Sequence, residues 1–231
     1  CNSSASCTST NTARPRAMAA IEVAMPQALT RRRRRYRSIF ILLAISKPLG
    51  LFGAIDHDLG QGQHHEGDDE QQKALEKYVE NGGTLMGIHG AGDDSHHWDW
   101  YEKNLLGAMF SHHPLNPQFQ KAQVSLKDTT FSPGLSKSFD GNDEWYVFLN
   151  QPKDATIVYS IDGDKILPSG NMLWMTDKNF GMGKNHPVAW YKAVGKGTTF
   201  YTSMGHSKEV WANPDFVSLI EEAIKWGISK R

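Results

Sequence analysis

Apolar residues recur along this chain in two rhythms, and the alternation between them predicts an α/β fold. Residues 84–89, Thr-Leu-Met-Gly-Ile-His, are apolar nearly throughout, as a strand covered on both faces must be. Before them, Ala74, Leu75, Tyr78 and Val79 recur at helical spacing and predict a helix over 68–80. Asp68 or Asp69 can cap that helix, and Asn81-Gly82-Gly83 stops it. A strand over 49–55 would complete a strand–helix–strand unit. Trp98, Tyr101, Leu105 and Met109 predict a helix over 98–110, ended ahead of Pro114. Strands are expected over 118–127, 144–149 and 155–161. Residues 187–194 and 198–203 flank Gly195-Lys196-Gly197 and predict a hairpin. Phe216, Leu219, Ile220 and Ala223 predict a closing helix over 215–226, with Pro214 near its start. No internal repeat interrupts this order.

The first 38 residues break the pattern. They are rich in Ser, Thr, Asn, Ala and Arg, and carry one aromatic, Tyr36. Such a segment buries too little apolar surface to offset ordering entropy, so residues 1–38 are expected to be a disordered tail or a segment not native to the domain. The Arg31–Arg35 block keeps a third reading open, a basic arm. Residues 39–45, Ile-Phe-Ile-Leu-Leu-Ala-Ile, follow this block. They read either as a strand of the sheet or as the apolar part of a signal-like segment over 31–54. The run is too short to cross a membrane as a helix. Localisation thus stays open between cytoplasmic and exported. Residues 39–231 are expected to form the folded α/β domain.

Charge sharpens this division. The chain has 25 basic and 25 acidic residues, but eight arginines and only Glu22 fall in residues 1–38. The remainder holds 17 basic against 24 acidic residues. An acidic body is not built to neutralise phosphates, so no nucleic acid is expected as its partner. Both cysteines, Cys1 and Cys7, lie in the polar start. Residues 8–231 therefore hold no disulfide, thiolate metal site or cysteine nucleophile.

Candidate chemistry centres on Gly87-Ile88-His89-Gly90-Ala91. A strand ending in Gly-x-nucleophile-x-Gly is how several α/β enzymes mount a reactive side chain on a sharp turn. Here histidine stands at the nucleophile's place, at the carboxyl edge where open α/β sheets bind ligands. Met204-Gly205-His206 repeats the arrangement after the strand over 198–203. If the two strands run the same way in one sheet, both imidazoles meet at one edge. They could then bind a transition metal or act as an acid–base pair. Eight of the ten histidines fall between residues 57 and 113. His64-His65 and His96-His97 sit among polar residues and read as solvated loop positions. His113-Pro114 and His186-Pro187 read equally well as positioned side chains or ordinary loops. Asp143-Glu144-Trp145-Tyr146 sets two acids before two aromatics, a composition common in sugar sites and equally common where a turn acid precedes core aromatics.

The ordered set of Gly87-Ile88-His89-Gly90-Ala91, Trp98…Tyr101…Leu105-Leu106-Gly107-Ala108…Phe110…His113-Pro114, Asp143-Glu144-Trp145-Tyr146, His186-Pro187-Val188-Ala189-Trp190 and Gly197…Phe200-Tyr201-Thr202…Gly205-His206 resembles the trehalose-utilisation (ThuA-like) family over roughly residues 49–230. That family is similar to the class I glutamine amidotransferases, which implies a flavodoxin-like three-layer α/β sandwich. Residues 1–48 depart from the family's opening strand, loop and helix, so the N-terminus is atypical. His89 stands where the amidotransferase cysteine would be and His206 near the triad histidine's place. Cysteine-dependent glutaminase chemistry is thereby excluded.

The resemblance implies a role in sugar catabolism, on a sugar or oxidised (keto) sugar derivative. The expected catalytic residues are His89, His206, Asp143 and Glu144. His113, Trp145, Tyr146 and His186 are expected to contact substrate. His89, His113 and His206 are the expected ligands of a divalent transition metal such as zinc, and no nucleotide cofactor is expected. A hydrolase, lyase or isomerase of sugar derivatives fits these roles. The alternative is a non-catalytic sugar-binding or regulatory module on the same fold. The histidines could also be structural in a protein-interaction domain. A homo-oligomer stays open.

Overall fold

The computed structural model describes residues 40–45, 52–54, 66–92, 98–168 and 183–230. The expectations for residues 1–38, for His64-His65 and for His96-His97 lie outside the described residues. Eight described strands form one sheet in the order β2-β1-β3-β10-β9-β8-β5-β6. They are β1 (Phe40–Ile45), β2 (Phe52–Ala54), β3 (Thr84–His89), β5 (Gln120–Leu126), β6 (Ser138–Asp143), β8 (Thr156–Ile161), β9 (His186–Val194) and β10 (Gly197–Thr202). A separate pair joins β4 (Phe110–His112) to β7 (Val147–Phe148).

At the centre, β3 and β10 run parallel, from Thr84 beside Thr198 to Ile88 beside Thr202. Every other pairing in the sheet is antiparallel. The helix before β3, α1 (Glu66–Glu80), starts two residues ahead of its expected bound and ends on it. The strand preceding it, expected over 49–55, is described at Phe52–Ala54 and pairs with β1, not with β3. Phe40–Ile45 takes that place instead, so the apolar run after the arginines is a strand. The expected unit keeps its direction, with β1 inserted between its two strands.

Strand alternation divides the core into two layers. Met86, Ile88, Phe200 and Ala189 point to one face, where they pack with Phe216, Leu219 and Ala223 of α4 (Pro214–Ser229), which follows the single turn α3 (Lys208–Trp211). Leu85, Tyr201 and Trp190 point to the other, where they meet Val79 of α1 with Tyr101, Leu105 and Leu106. Helix, sheet and helix make the three-layer α/β sandwich of the flavodoxin-like type.

Two departures from the sequence pattern have local causes. The helix expected over 98–110 is one turn, α2 (Asp99–Tyr101), running into a π-helical turn at Glu102–Leu106. Gly107 ends it at φ +66, a conformation that favours glycine, and Phe110 joins β4. The turn's carbonyls are taken up from the sheet: Trp190 Nε1 donates to Leu106 (2.7 Å), Lys192 Nζ to Lys103 (2.7 Å) and Thr199 Oγ1 to Asn104 (3.0 Å). The second departure is β6, Ser-Phe-Asp-Gly-Asn-Asp, where no strand was expected. It is a strand because Phe139, Gly141 and Asp143 alternate inward, and glycine leaves room for the Trp145 ring, which would lie 3.2 Å from a Cβ at position 141. Of residues 144–149, only Val147–Phe148 are strand.

Candidate active site

His89 closes β3 with a positive φ of 46°, an uncommon conformation for a residue with a side chain. Two buried tyrosines pin the turn. Tyr201 Oη donates to the His89 carbonyl (2.8 Å) and Tyr101 Oη to that of Ala91 (2.7 Å). The sharp strand-end turn expected from Gly87-Ile88-His89-Gly90-Ala91 is therefore present. Because β10 is parallel to β3, its continuation reaches the same edge and brings His206 to His89. Gly205 stands between them at φ +128, and a Cβ there would lie 2.8 Å from Ile88 Cγ2.

The side chains converge on one small triangle. His89 Nε2 lies 3.1 Å from Glu144 Oε2 and 3.0 Å from His206 Nδ1, and His206 Nδ1 lies 3.0 Å from Glu144 Oε2. His113 Nδ1 approaches the other oxygen, Glu144 Oε1, at 3.0 Å. Gln118 Nε2 donates to that same oxygen at 2.5 Å. His89 and Glu144 are buried, whereas the side chains of His113 and His206 are 27% and 28% exposed. The cluster thus has a closed floor and an open rim. Tyr146 lines it, with its ring 4.2 Å from that of His89 and stacked on His113 at 5.8 Å.

Hydrogen bonding decides the tautomers. His89 Nδ1 faces the Ser203 carbonyl at 2.7 Å, and a carbonyl only accepts, so Nδ1 carries the proton. With Nδ1 protonated, His89 turns its other ring nitrogen, Nε2, toward the Glu144 carboxylate. Burial raises the Glu144 pKa, but hydrogen bonds from His89 and Gln118 and the positive charge of His113 and His89 outweigh it, holding it at about 2. Electron-rich atoms at this spacing repel unless a shared proton or a cation lies between them. A proton on His206 Nδ1 satisfies the triangle. So does a metal ion: donors each about 2.1 Å from a tetrahedral zinc lie roughly 3.4 Å apart, so the triangle need open by only a few tenths of an ångström. His89, Glu144 and His206 are the metal-capable group among the described residues. Two imidazoles and one carboxylate, with the His89 ring oriented by a backbone carbonyl, suit a transition ion better than magnesium or calcium.

The expected site residues divide under this geometry. His89, His206 and Glu144 meet directly. His113 was expected in the ligand set, but it sits behind Glu144 and touches Oε1. Asp143 was expected beside Glu144 as an acid–base group, yet it is fully buried beneath the turn that carries His206. Its Oδ2 accepts from the Gly205 N–H (2.6 Å) and its Oδ1 from the Ser207 N–H (2.8 Å). Burial pushes its carboxyl up, against the pull of His89 and these N–H groups. Trp145 is a core residue whose Nε1 donates to the Gln120 carbonyl at 2.8 Å. His186 is also buried, and its Nε2 donates to the Tyr146 carbonyl at 2.8 Å. Burial and the nearby His112 drive it down to about 4, so it is neutral at ordinary pH. Gln118, Tyr201 and the Ser203 carbonyl complete the site and were not anticipated. The one local signal for Gln118 is the pair Pro114 and Pro117, which stiffens the segment after His113.

Comparison with known proteins bears on the family and the fold. The sequence matches the family profile described as trehalose utilisation (ThuA) over residues 59–227. A ThuA-like protein from Bacteroides uniformis is similar in structure, with 26% identity and a TM-score of 0.54 over 69% of this chain and 64% of that one. The chain thus spans somewhat less than two thirds of that relative. A second ThuA-like protein, from Parabacteroides merdae, has 17% identity and a TM-score of 0.55 over 74% of this chain and 68% of that one, a likeness of fold. Among curated proteins none matches the sequence.

Proposed function

The chain belongs to the trehalose-utilisation (ThuA) family, and on that premise we propose that it is an enzyme acting on a sugar derivative, with keto sugars the expected class, at the His89–Glu144–His206 cluster. The observation that carries this reading is the convergence of two imidazoles and an ionised carboxylate from three separated segments onto one partly open point. Structural histidines seldom gather in this way. They more often satisfy themselves singly against backbone, as His186 does.

Under this reading His89, Glu144 and His206 hold a divalent transition ion such as zinc. Bound there, it supplies Lewis acidity toward a carbonyl or a water. The protein's own groups do the rest. Glu144 stays ionised and gives only Oε2 to the cluster, because His113 and Gln118 occupy Oε1. His113 Nδ1 faces two acceptors, Glu144 Oε1 and the Pro114 carbonyl, so Nδ1 bears a proton. His113, partly exposed, links the buried carboxylate to the rim of the site and helps keep it ionised. Tyr146 shields the floor from water.

The test is elemental analysis of the purified protein, joined to thermal shifts with zinc, with trehalose and with its keto derivatives. About one transition ion per chain and a sugar-dependent rise in Tm are expected. Turnover retained by metal-free protein would remove the metal from the reading. Sugar binding that survives His89→Ala, with no turnover in either protein, would favour a binding module instead.

A further inference from the structure

We infer that Phe119 is the platform on which the sugar ring stacks, a substrate-binding residue at the mouth of the cluster. This rests on the sugar reading above and deepens it. Phe119 is 40% exposed and is the one aromatic ring among the described residues that reaches this degree of exposure. The other exposed large apolar side chains, Leu149, Leu167, Val217 and Ile228, are aliphatic. A scattered exposed apolar residue needs no explanation, but this ring is not scattered. It meets the His206 ring at a centroid distance of 5.2 Å and an interplanar angle of 68°. It also directly follows Gln118, whose amide holds Glu144 Oε1. One short segment thus clamps the carboxylate with one residue and sets an apolar face at the rim with the next.

The chemistry of a sugar suits that pairing. A pyranose ring offers hydroxyls around its edge and a patch of C–H groups on its face. The cluster supplies imidazole and carboxylate groups for the hydroxyls or a carbonyl. Trp145, expected from sequence as an aromatic contact, is wholly buried in the core, and Tyr146 is 2% exposed. Phe119 is left as the open aromatic surface beside His206. Phenylalanine has no polar handle, so its contribution is contact with the C–H face and exclusion of water. Phe119 therefore governs affinity and selectivity for the ring and takes no part in proton transfer.

The experiment compares wild type, Phe119→Ala and Phe119→Trp by calorimetric titration with trehalose and with keto-trehalose, alongside metal content. Phe119→Ala should weaken sugar binding about tenfold with metal content unchanged, and Phe119→Trp should restore it. The new indole should also report sugar through a change in emission absent from wild type. Equal sugar affinity in wild type and Phe119→Ala, or a tryptophan whose emission ignores sugar, would overturn the inference while leaving the sugar reading intact. Wild type that binds neither sugar would overturn the sugar reading, and this inference with it.

Discussion

Replacing Asp143 by asparagine tests how His206 is held. Both carboxylate oxygens face backbone N–H groups, those of Ser207 and Gly205, in a site with no solvent exposure. Asparagine keeps one acceptor and turns an NH2 against the other N–H. One charge-assisted bond is lost, and a buried donor is left without a partner. Each effect costs roughly 1–3 kcal/mol. Part of this is returned, because burial already works against the Asp143 charge and the amide carries none. The expected net loss is about 2 kcal/mol, which for a chain of this length lowers Tm by roughly 4–8 °C. The same change loosens the turn from Gly205 to Ser207, so zinc affinity should fall about 10–100-fold although Asp143 does not touch the cluster. Urea unfolding and a zinc titration read the two effects separately. Stability within about 0.5 kcal/mol of wild type together with unchanged zinc affinity would refute the positioning role.

Other outcomes follow from the same contacts. Glu144→Gln removes a carboxylate held at about 2, and metal content measured on purified protein should drop at least tenfold at any pH where the protein is folded. His186 titrates at about 4 in the fold against about 6.5 when unfolded. The unfolded chain therefore takes up this proton first as pH falls. The stabilisation is whole above pH 6.5 and is lost by about pH 4, a change of about 3 kcal/mol. Stability curves for wild type and His186→Gln should converge by that amount over this range, and curves that stay parallel would contradict the assignment. Tyr201→Phe strips the hydroxyl from the His89 carbonyl and should cost about 1–2 kcal/mol in denaturant unfolding, with weaker zinc binding because the turn relaxes.

Much of the scaffold was legible because its signals are local. An apolar run of six residues ending in histidine marks β3 wherever it lies in the sheet. The stripes at 74–79 and 216–223 mark α1 and α4 by spacing alone. Gly195-Lys196-Gly197 marks the hairpin of β9 and β10. Where the signal was not local, reading failed. Ser138–Asp143 has the composition of a turn and becomes a strand because β5 and the Trp145 ring accept it. The helix after Trp98 is cut short at Gly107, whose carbonyl and N–H are drawn to Lys153 and Glu102.

By itself the sequence determined that two histidines end apolar strands, that no cysteine serves the body, and that the elements alternate as in an α/β sandwich. These follow from residue type and period, which need no partner. Only the tertiary structure decided which acid reaches the histidines. Asp143 and Glu144 are neighbours in the chain, but alternation at the end of β6 sends Asp143 under the Gly205–Ser207 turn and leaves Glu144 free to meet His89. It likewise decided that His113 backs the carboxylate and that Phe119, not Trp145, faces solvent at the rim. Those roles depend on register and on contacts across as many as 117 residues of chain, which no local pattern encodes.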